Sequence, residues 1–217
     1  MNGCEGPEYE RVNALNAKFY RLAKFSGMPL ATGDTQTLIT FIPSKGTEEA
    51  YNAALAFVAV ENGTPIREHH FLTFIGEPGR GKTHLAMGIG WHWIGHGIGT
   101  VKYWHVSELL DAIRAEYDHP PLTRGGFPMI GAFELAKGCG LLILDDLGVE
   151  KSTGWAIDKL DTLVNHRWLE ELPTIFTTNM TAMQLQPRLR SRIKEGVTVT
   201  LDGIDYRAYK AKIRQGL

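Results

Sequence analysis

Cysteine is scarce in this chain of 217 residues: Cys4 and Cys139 are the whole supply. Two cysteines so far apart make neither a disulfide framework nor a zinc site, and a reducing cytoplasm is the expected compartment. An excess of positive charge is also lacking. Lys and Arg number 23 against 24 Asp and Glu, a formal net charge of −1. Binding to nucleic acid through bulk basic charge is thereby excluded. Any such contact has to come from a local patch or from a surface built by several subunits. There is no run of about 18 apolar residues, so no membrane span is expected. No basic start followed by an apolar run opens the chain, so no signal peptide is expected. What the chain does have is an ordinary apolar share, 43%, enough for one good-sized core.

Periodicity divides the chain into alternating helices and strands. Val12, Leu15, Phe19 and Leu22 recur at helical spacing and predict a helix over 8–24, ended by Gly27 and Pro29. Residues 36–46 read as an extended segment and a turn. Thr47 is placed to cap a helix running to about residue 60. Apolar strands are predicted over 70–75, 100–106, 141–144, 174–177 and 197–201. Helices are predicted over 82–95, 108–117 with Ser107 as cap, 133–137, 155–170 and 183–194 with an early break at Pro187. Residues 118–131, rich in Pro and Gly, read as a loop. Leu141-Leu-Ile-Leu144 shows no polar alternation, as in a strand covered on both faces. The fold class is therefore α/β, a parallel sheet flanked by helices on both sides.

The strand ending at Ile75 runs into Gly76-Glu77-Pro78-Gly79-Arg80-Gly81-Lys82-Thr83, followed by His84 and a helical pattern. This spacing satisfies G-x-x-x-x-G-K-[ST] in its required strand–loop–helix context. The glycines let successive N–H groups turn inward toward phosphate oxygens. Lys82 brings positive charge to the β and γ phosphates, Thr83 a hydroxyl ligand for magnesium, and the helix start a favourable dipole. ATP and Mg2+ are the implied cofactors, with Gly76 through His84 as the cradle.

Such a site needs an acid at the end of a neighbouring strand. Leu141-Leu-Ile-Leu144 ends in Asp145 and Asp146. Asp145 is expected to serve the metal with Thr83, and Asp146 to polarise water. Asn179 follows the next apolar strand, where it either orients that water or merely caps the segment near Thr181. Arg188, Arg190 and Arg192 follow. On their own they read as a basic helix face.

The order of these pieces resembles AAA+ ATPases, and more narrowly the DnaC/DnaI helicase loaders and the related IstB transposition helpers. Leu142-Ile-Leu-Asp-Asp-Leu-Gly148 with Glu150 is similar to that family's Walker B region, and Leu172-Pro-Thr-Ile-Phe-Thr-Thr-Asn179 to its sensor 1 strand. Arg188-Leu-Arg-Ser-Arg192-Ile resembles its arginine-finger helix, which assigns the finger to Arg192. Asp205-Tyr-Arg207 is similar to its C-terminal signature, with Arg207 as a sensor 2-like nucleotide contact. The likeness extends over about residues 35–210. It implies a P-loop AAA+ domain over 35–217 without a large helical lid. Residues 1–34 would be a helical extension, a remnant of a partner-binding domain. It further implies an ATPase that forms a homo-oligomeric ring or spiral around single-stranded DNA and assists a replicative helicase, or a transposase in the IstB case. The rival of another class is an assembly protein that holds ATP with little turnover.

Three further features carry weaker implications. His92 and His96 stand four apart on a helix with no third metal ligand in view, so a packed or surface helix is the plainer reading. Tyr103 and Trp104 could stack on bases, but in a strand they are expected in the core. Arg114, Arg124 and Lys137 are candidates for a DNA-facing surface that no motif selects.

Overall fold

The computed structural model describes residues 7–29, 36–61, 64–65, 68–118, 123–124, 127–128, 130–148 and 153–206. The elements run α1 (Pro7–Ser26), α2 (Glu48–Val58), β1 (Val60–Glu61), β2 (Thr64–Pro65), β3 (Phe71–Ile75), α3 (Lys82–Gly95), β4 (Val101–His105), α4 (Val106–Asp118) and β5 (Thr123–Arg124). They continue through β6 (Phe127–Pro128), α5 (Ala132–Gly138), β7 (Leu141–Asp145), α6 (Gly154–Leu169), β8 (Thr174–Thr178), a 3-10 turn (Ala182–Gln184), α7 (Pro187–Lys194) and β9 (Val197–Thr200).

Five strands form one sheet in the order β4-β7-β8-β3-β9. Every pairing in it is parallel. The P-loop strand β3 is thus flanked by β8 and β9, and the acid-bearing β7 lies one strand further on. Successive side chains on a strand face opposite ways. Leu141 and Ile143 therefore join the core beneath α1, α2 and α3, while Leu142 and Leu144 join the one beneath α4 to α7. Coverage of both faces explains why β7 and β8 are buried along their whole length.

The expected α/β architecture is the observed one, and several boundaries differ. Helix α2 stops at Val58, and Val60–Glu61 pairs antiparallel with Thr64–Pro65. Thr47 occupies the N-cap position, but its hydroxyl donates to the Ser44 carbonyl at 2.9 Å and does not cap the helix. Helix α4 begins at Val106 directly after β4, so Ser107 lies inside it. The segment read as a loop contains the short β5–β6 pair. Pro187 opens α7 as its first residue, the position where its missing N–H costs nothing. The proposed domain boundary at residues 34–35 lies outside the described residues. Among those residues no helix is long and apolar enough to cross a membrane.

Candidate nucleotide site

Parallel strands carry their ligands at their C-terminal edge. The P-loop residues, Asp145, Asp146 and Asn179 gather there, because β3, β7 and β8 all end on that side. The chain leaves β3 through Gly76 and enters α3 through Gly81, whose φ of 98° suits a glycine. A β-carbon at Gly81 would stand 2.8 Å from the Phe41 ring. The loop therefore has room for a ligand on one side and none for a side chain on the other.

Lys82 is buried. Its ammonium donates to the Gly76 carbonyl at 2.7 Å, the Glu77 carbonyl at 2.9 Å and Asn179 Oδ1 at 2.7 Å. Asn179 stands at the end of β8, so this last bond ties the P-loop to the neighbouring strand. The Thr83 hydroxyl lies 3.0 and 3.2 Å from the two oxygens of Asp145. A hydroxyl and a carboxylate converging this closely are hard oxygen donors of the kind magnesium takes. The residues present therefore fit that ion.

Asp145 is fully buried. Thr177 donates to its Oδ1, and the Tyr103 hydroxyl donates to its Oδ2 at 2.7 Å. Burial first, and the Asp145 charge next, push the Tyr103 phenol above its ordinary range, so it stays a donor. Asp146 adopts a left-handed backbone with φ 57°, a conformation an Asp tolerates better than most residues. Its N–H donates to Thr177 Oγ1 at 2.9 Å. His105, at the end of β4, adds an imidazole 3.6 Å from Asp145 and 3.9 Å from Asp146.

A cavity of about 570 Å³ opens over the loop. Its lining includes the polar Lys82, Thr83, Asp146 and Asn179 and the apolar or aromatic Phe41, Ile42, Ile204 and Tyr206. His84 also lines it, packed edge-on against Phe41 with ring centres 5.3 Å apart. His84 Nε2 lies 2.9 Å from the Thr37 carbonyl and 3.1 Å from the Thr40 hydroxyl. The segment after β9 closes the cavity: the Tyr206 N–H donates to the Gly79 carbonyl at 3.0 Å, and Arg80 donates to the Gly203 carbonyl. Arg80 also pairs with Glu77 at 3.1 Å.

None of the three α7 arginines lines the cavity. Arg192 lies over the Trp168 ring, 3.7 Å from its centre, and donates to Asn165 Oδ1 at 3.1 and 3.2 Å. Arg188 pairs with Asp161 at 3.3 Å. Arg207 and Glu150 lie outside the described residues. His92 and His96 stack with ring centres 3.9 Å apart, and no third ligand joins them among the described residues. The sequence reading placed Tyr103 in the core. It is buried there, but its hydroxyl also serves Asp145. Thr177 and His105 were not anticipated at all. The available signal was their position, each at or near the C-terminal end of a predicted parallel strand.

A parallel sheet in this strand order, with a P-loop leaving an interior strand and two acids leaving the strand two places away, defines a P-loop NTPase of the AAA+ class. Within that class, residues 53–208 match the family described as IstB-like ATP binding protein, and the chain belongs to it. The uncharacterized protein YqaM of Bacillus subtilis is 21% identical over 156 residues, which cover 68% of this chain and 47% of that protein. The replicative helicase loader DnaI of Bacillus subtilis is 36% identical over 53 residues, 24% of this chain and 17% of that protein. Among solved structures, the DnaC helicase loader superposes with a TM-score of 0.64 at 24% identity, covering 77% of this chain and 97% of that one. At that identity the likeness is one of fold. The chain spans about half the length or less of the curated relatives it matches.

Proposed function

We propose that this protein is an ATPase of the helicase-loader type. It binds ATP with magnesium, packs side by side into a ring or spiral around single-stranded DNA in the cytoplasm, and hydrolyses ATP while assisting a replicative helicase. The observation that carries this reading is the joining of Lys82, Asn179, Thr83, Asp145 and Asp146 at one mouth through contacts between two strand ends and the P-loop. The base packs against apolar lining residues among Phe41, Ile42, Ile204 and Tyr206, and the phosphates lie along residues 76–83. Thr83 and Asp145 would hold magnesium, which when bound would supply charge neutralisation at the phosphates. Lys82 exchanges its carbonyl and amide partners for phosphate oxygens. Asp146 and Asn179 hold the attacking water in line, and Arg192 of a neighbouring subunit stabilises the transition state. Arg207 contacts the nucleotide, and residues 1–34 face the partner protein.

The test is phosphate release from ATP, with and without single-stranded DNA, beside Lys82→Ala. DNA-stimulated turnover that Lys82→Ala abolishes is the expected result. ATP bound with no turnover in either condition overturns the ATPase reading and leaves an ATP-held assembly protein. The IstB-like family match favours a second reading, a transposition helper with the same chemistry. Stimulation by duplex and not by single-stranded DNA, together with binding to a transposase, selects it.

A further inference from the structure

Residues 37–40 form a tight turn that is bonded to itself in both directions. Thr37 N–H donates to Thr40 Oγ1 at 3.0 Å, and Thr40 N–H donates to Thr37 Oγ1 at 3.2 Å. His84, on the first turn of α3, reaches the Thr37 carbonyl and the Thr40 hydroxyl, which pins the turn to the helix that begins at the P-loop. A tight turn brings the residues on its two flanks near each other. Here the flanks are Gln36 and Phe41, and both line the nucleotide cavity.

The two flanks offer a ligand different things. Phe41 is a fixed wall: it stacks on Tyr51 with ring centres 5.6 Å apart and meets His84 edge-on. Gln36 is a partly buried amide that makes no hydrogen bond to another described residue. The polar side chains that follow it along the same wall are already engaged. Thr40 donates to the Thr37 carbonyl at 3.1 Å, and the Ser44 and Thr47 hydroxyls lie 3.3 Å apart. Asn179, the other amide of the cavity, is bonded to Lys82.

An amide sets one acceptor beside one donor. Adenine answers with the complementary pair, because its 6-amino group donates and the ring nitrogen beside it accepts. We propose that Gln36 reads the adenine base. Its Oε1 accepts a hydrogen from the 6-amino group, and its Nε2 donates to the adjacent ring nitrogen. The proposal rests on the ATP reading and adds to it the residue that selects the base. His84 makes the selection exact in space: it ties the turn that carries Gln36 to the helix that carries Lys82 and Thr83. Base and phosphates are thus gripped from one rigid frame, and little ordering is left for the ligand to induce.

The full chain is titrated by calorimetry, with Mg2+, against the β,γ-methylene triphosphates of adenosine and of purine riboside. The two ligands differ only in the 6-amino group, and neither is cleaved at its β,γ bridge. The wild-type chain is expected to bind the adenosine form about tenfold more tightly, within the range of a bidentate amide–adenine contact. In Gln36→Leu the adenosine form is expected to weaken to the level of the other, whose affinity stays as in wild type. Gln36→Met, unbranched and close to Gln in length, gives the same reading should Leu disturb the turn. Equal affinity of the two ligands for the wild-type chain overturns the proposal. A preference that persists in both variants also overturns it, assigning the amino group to another acceptor. So does an equal weakening of both ligands, which marks Gln36 as a structural support. In each of these cases nucleotide is still bound, and the ATP reading stands. Binding of neither ligand to the wild-type chain overturns both.

Discussion

Arg167 keeps a guanidinium fully out of water. Its Nη1 donates to the carbonyls of Ala136, Lys137 and Cys139 at 2.9–3.0 Å. Nη2 donates to the Pro173 carbonyl at 2.7 Å, and Nε to the Thr174 hydroxyl at 2.8 Å. Burial lowers its pKa from the ordinary arginine value, yet the carbonyl dipoles hold the charge and splice the end of α5 to the start of β8. Arg167→Ala strips partners from several buried carbonyls. It is expected to cost about 3–5 kcal/mol, read as a lower urea midpoint. Thr177→Val keeps the side chain's shape but removes the donor to Asp145 and the acceptor for Asp146 N–H. A loss of about 1–3 kcal/mol is expected in urea unfolding, with slower ATP turnover. His92 is pushed below 6.5 by burial and then by His96. The unfolded chain therefore takes up this proton at a higher pH than the folded one. Stability should fall as pH drops through 6.5 toward the folded value, and His92→Gln should flatten that part of a stability–pH curve. Lys82, Thr83, Asp145 and Asp146 were legible because short contiguous patterns carry them. Tyr103, Thr177 and His105 were not, because they meet only through the register of three separate strands.

At the scale of elements, α3 carries the loop's consequences into the core. A β-carbon at Gly88 would stand 2.8 Å from the Leu38 backbone nitrogen. Residues 37–41 thus lie directly on the helix, where Thr37 and Thr40 hold His84 and Phe41 abuts Gly81. Gly88→Ala gains some helix propensity but forces that segment outward, at a net expected cost of about 1–3 kcal/mol. Weaker nucleotide binding is expected beside a lower melting temperature, since the displaced segment is a wall of the cavity. Periodicity revealed the long helices and the buried strands, whose pattern spans many residues. It missed β1–β2 and β5–β6, whose two-residue strands are too short to show alternation. It also placed a cap at Ser107, although β4 passes into α4 with no intervening loop.

At the scale of the whole molecule, the proposed finger is separated from the site it would serve. Arg192 is held on Trp168 and Asn165 of α6 and is not among the cavity's lining residues. A site completed by a neighbour makes a prediction that one completed within a single chain does not. Lys82→Ala and Arg192→Ala should each be inactive alone, whereas their mixture should recover part of the turnover. The recovered share would come from interfaces pairing an intact P-loop with an intact finger, and phosphate release across mixing ratios measures it. The strand order also sets a timetable for synthesis. Strand β3 is synthesised well before both of its sheet partners, β8 and β9. The phosphate loop therefore waits with both edges of its strand bare, and a nascent chain cannot grip a nucleotide until translation has passed Thr200.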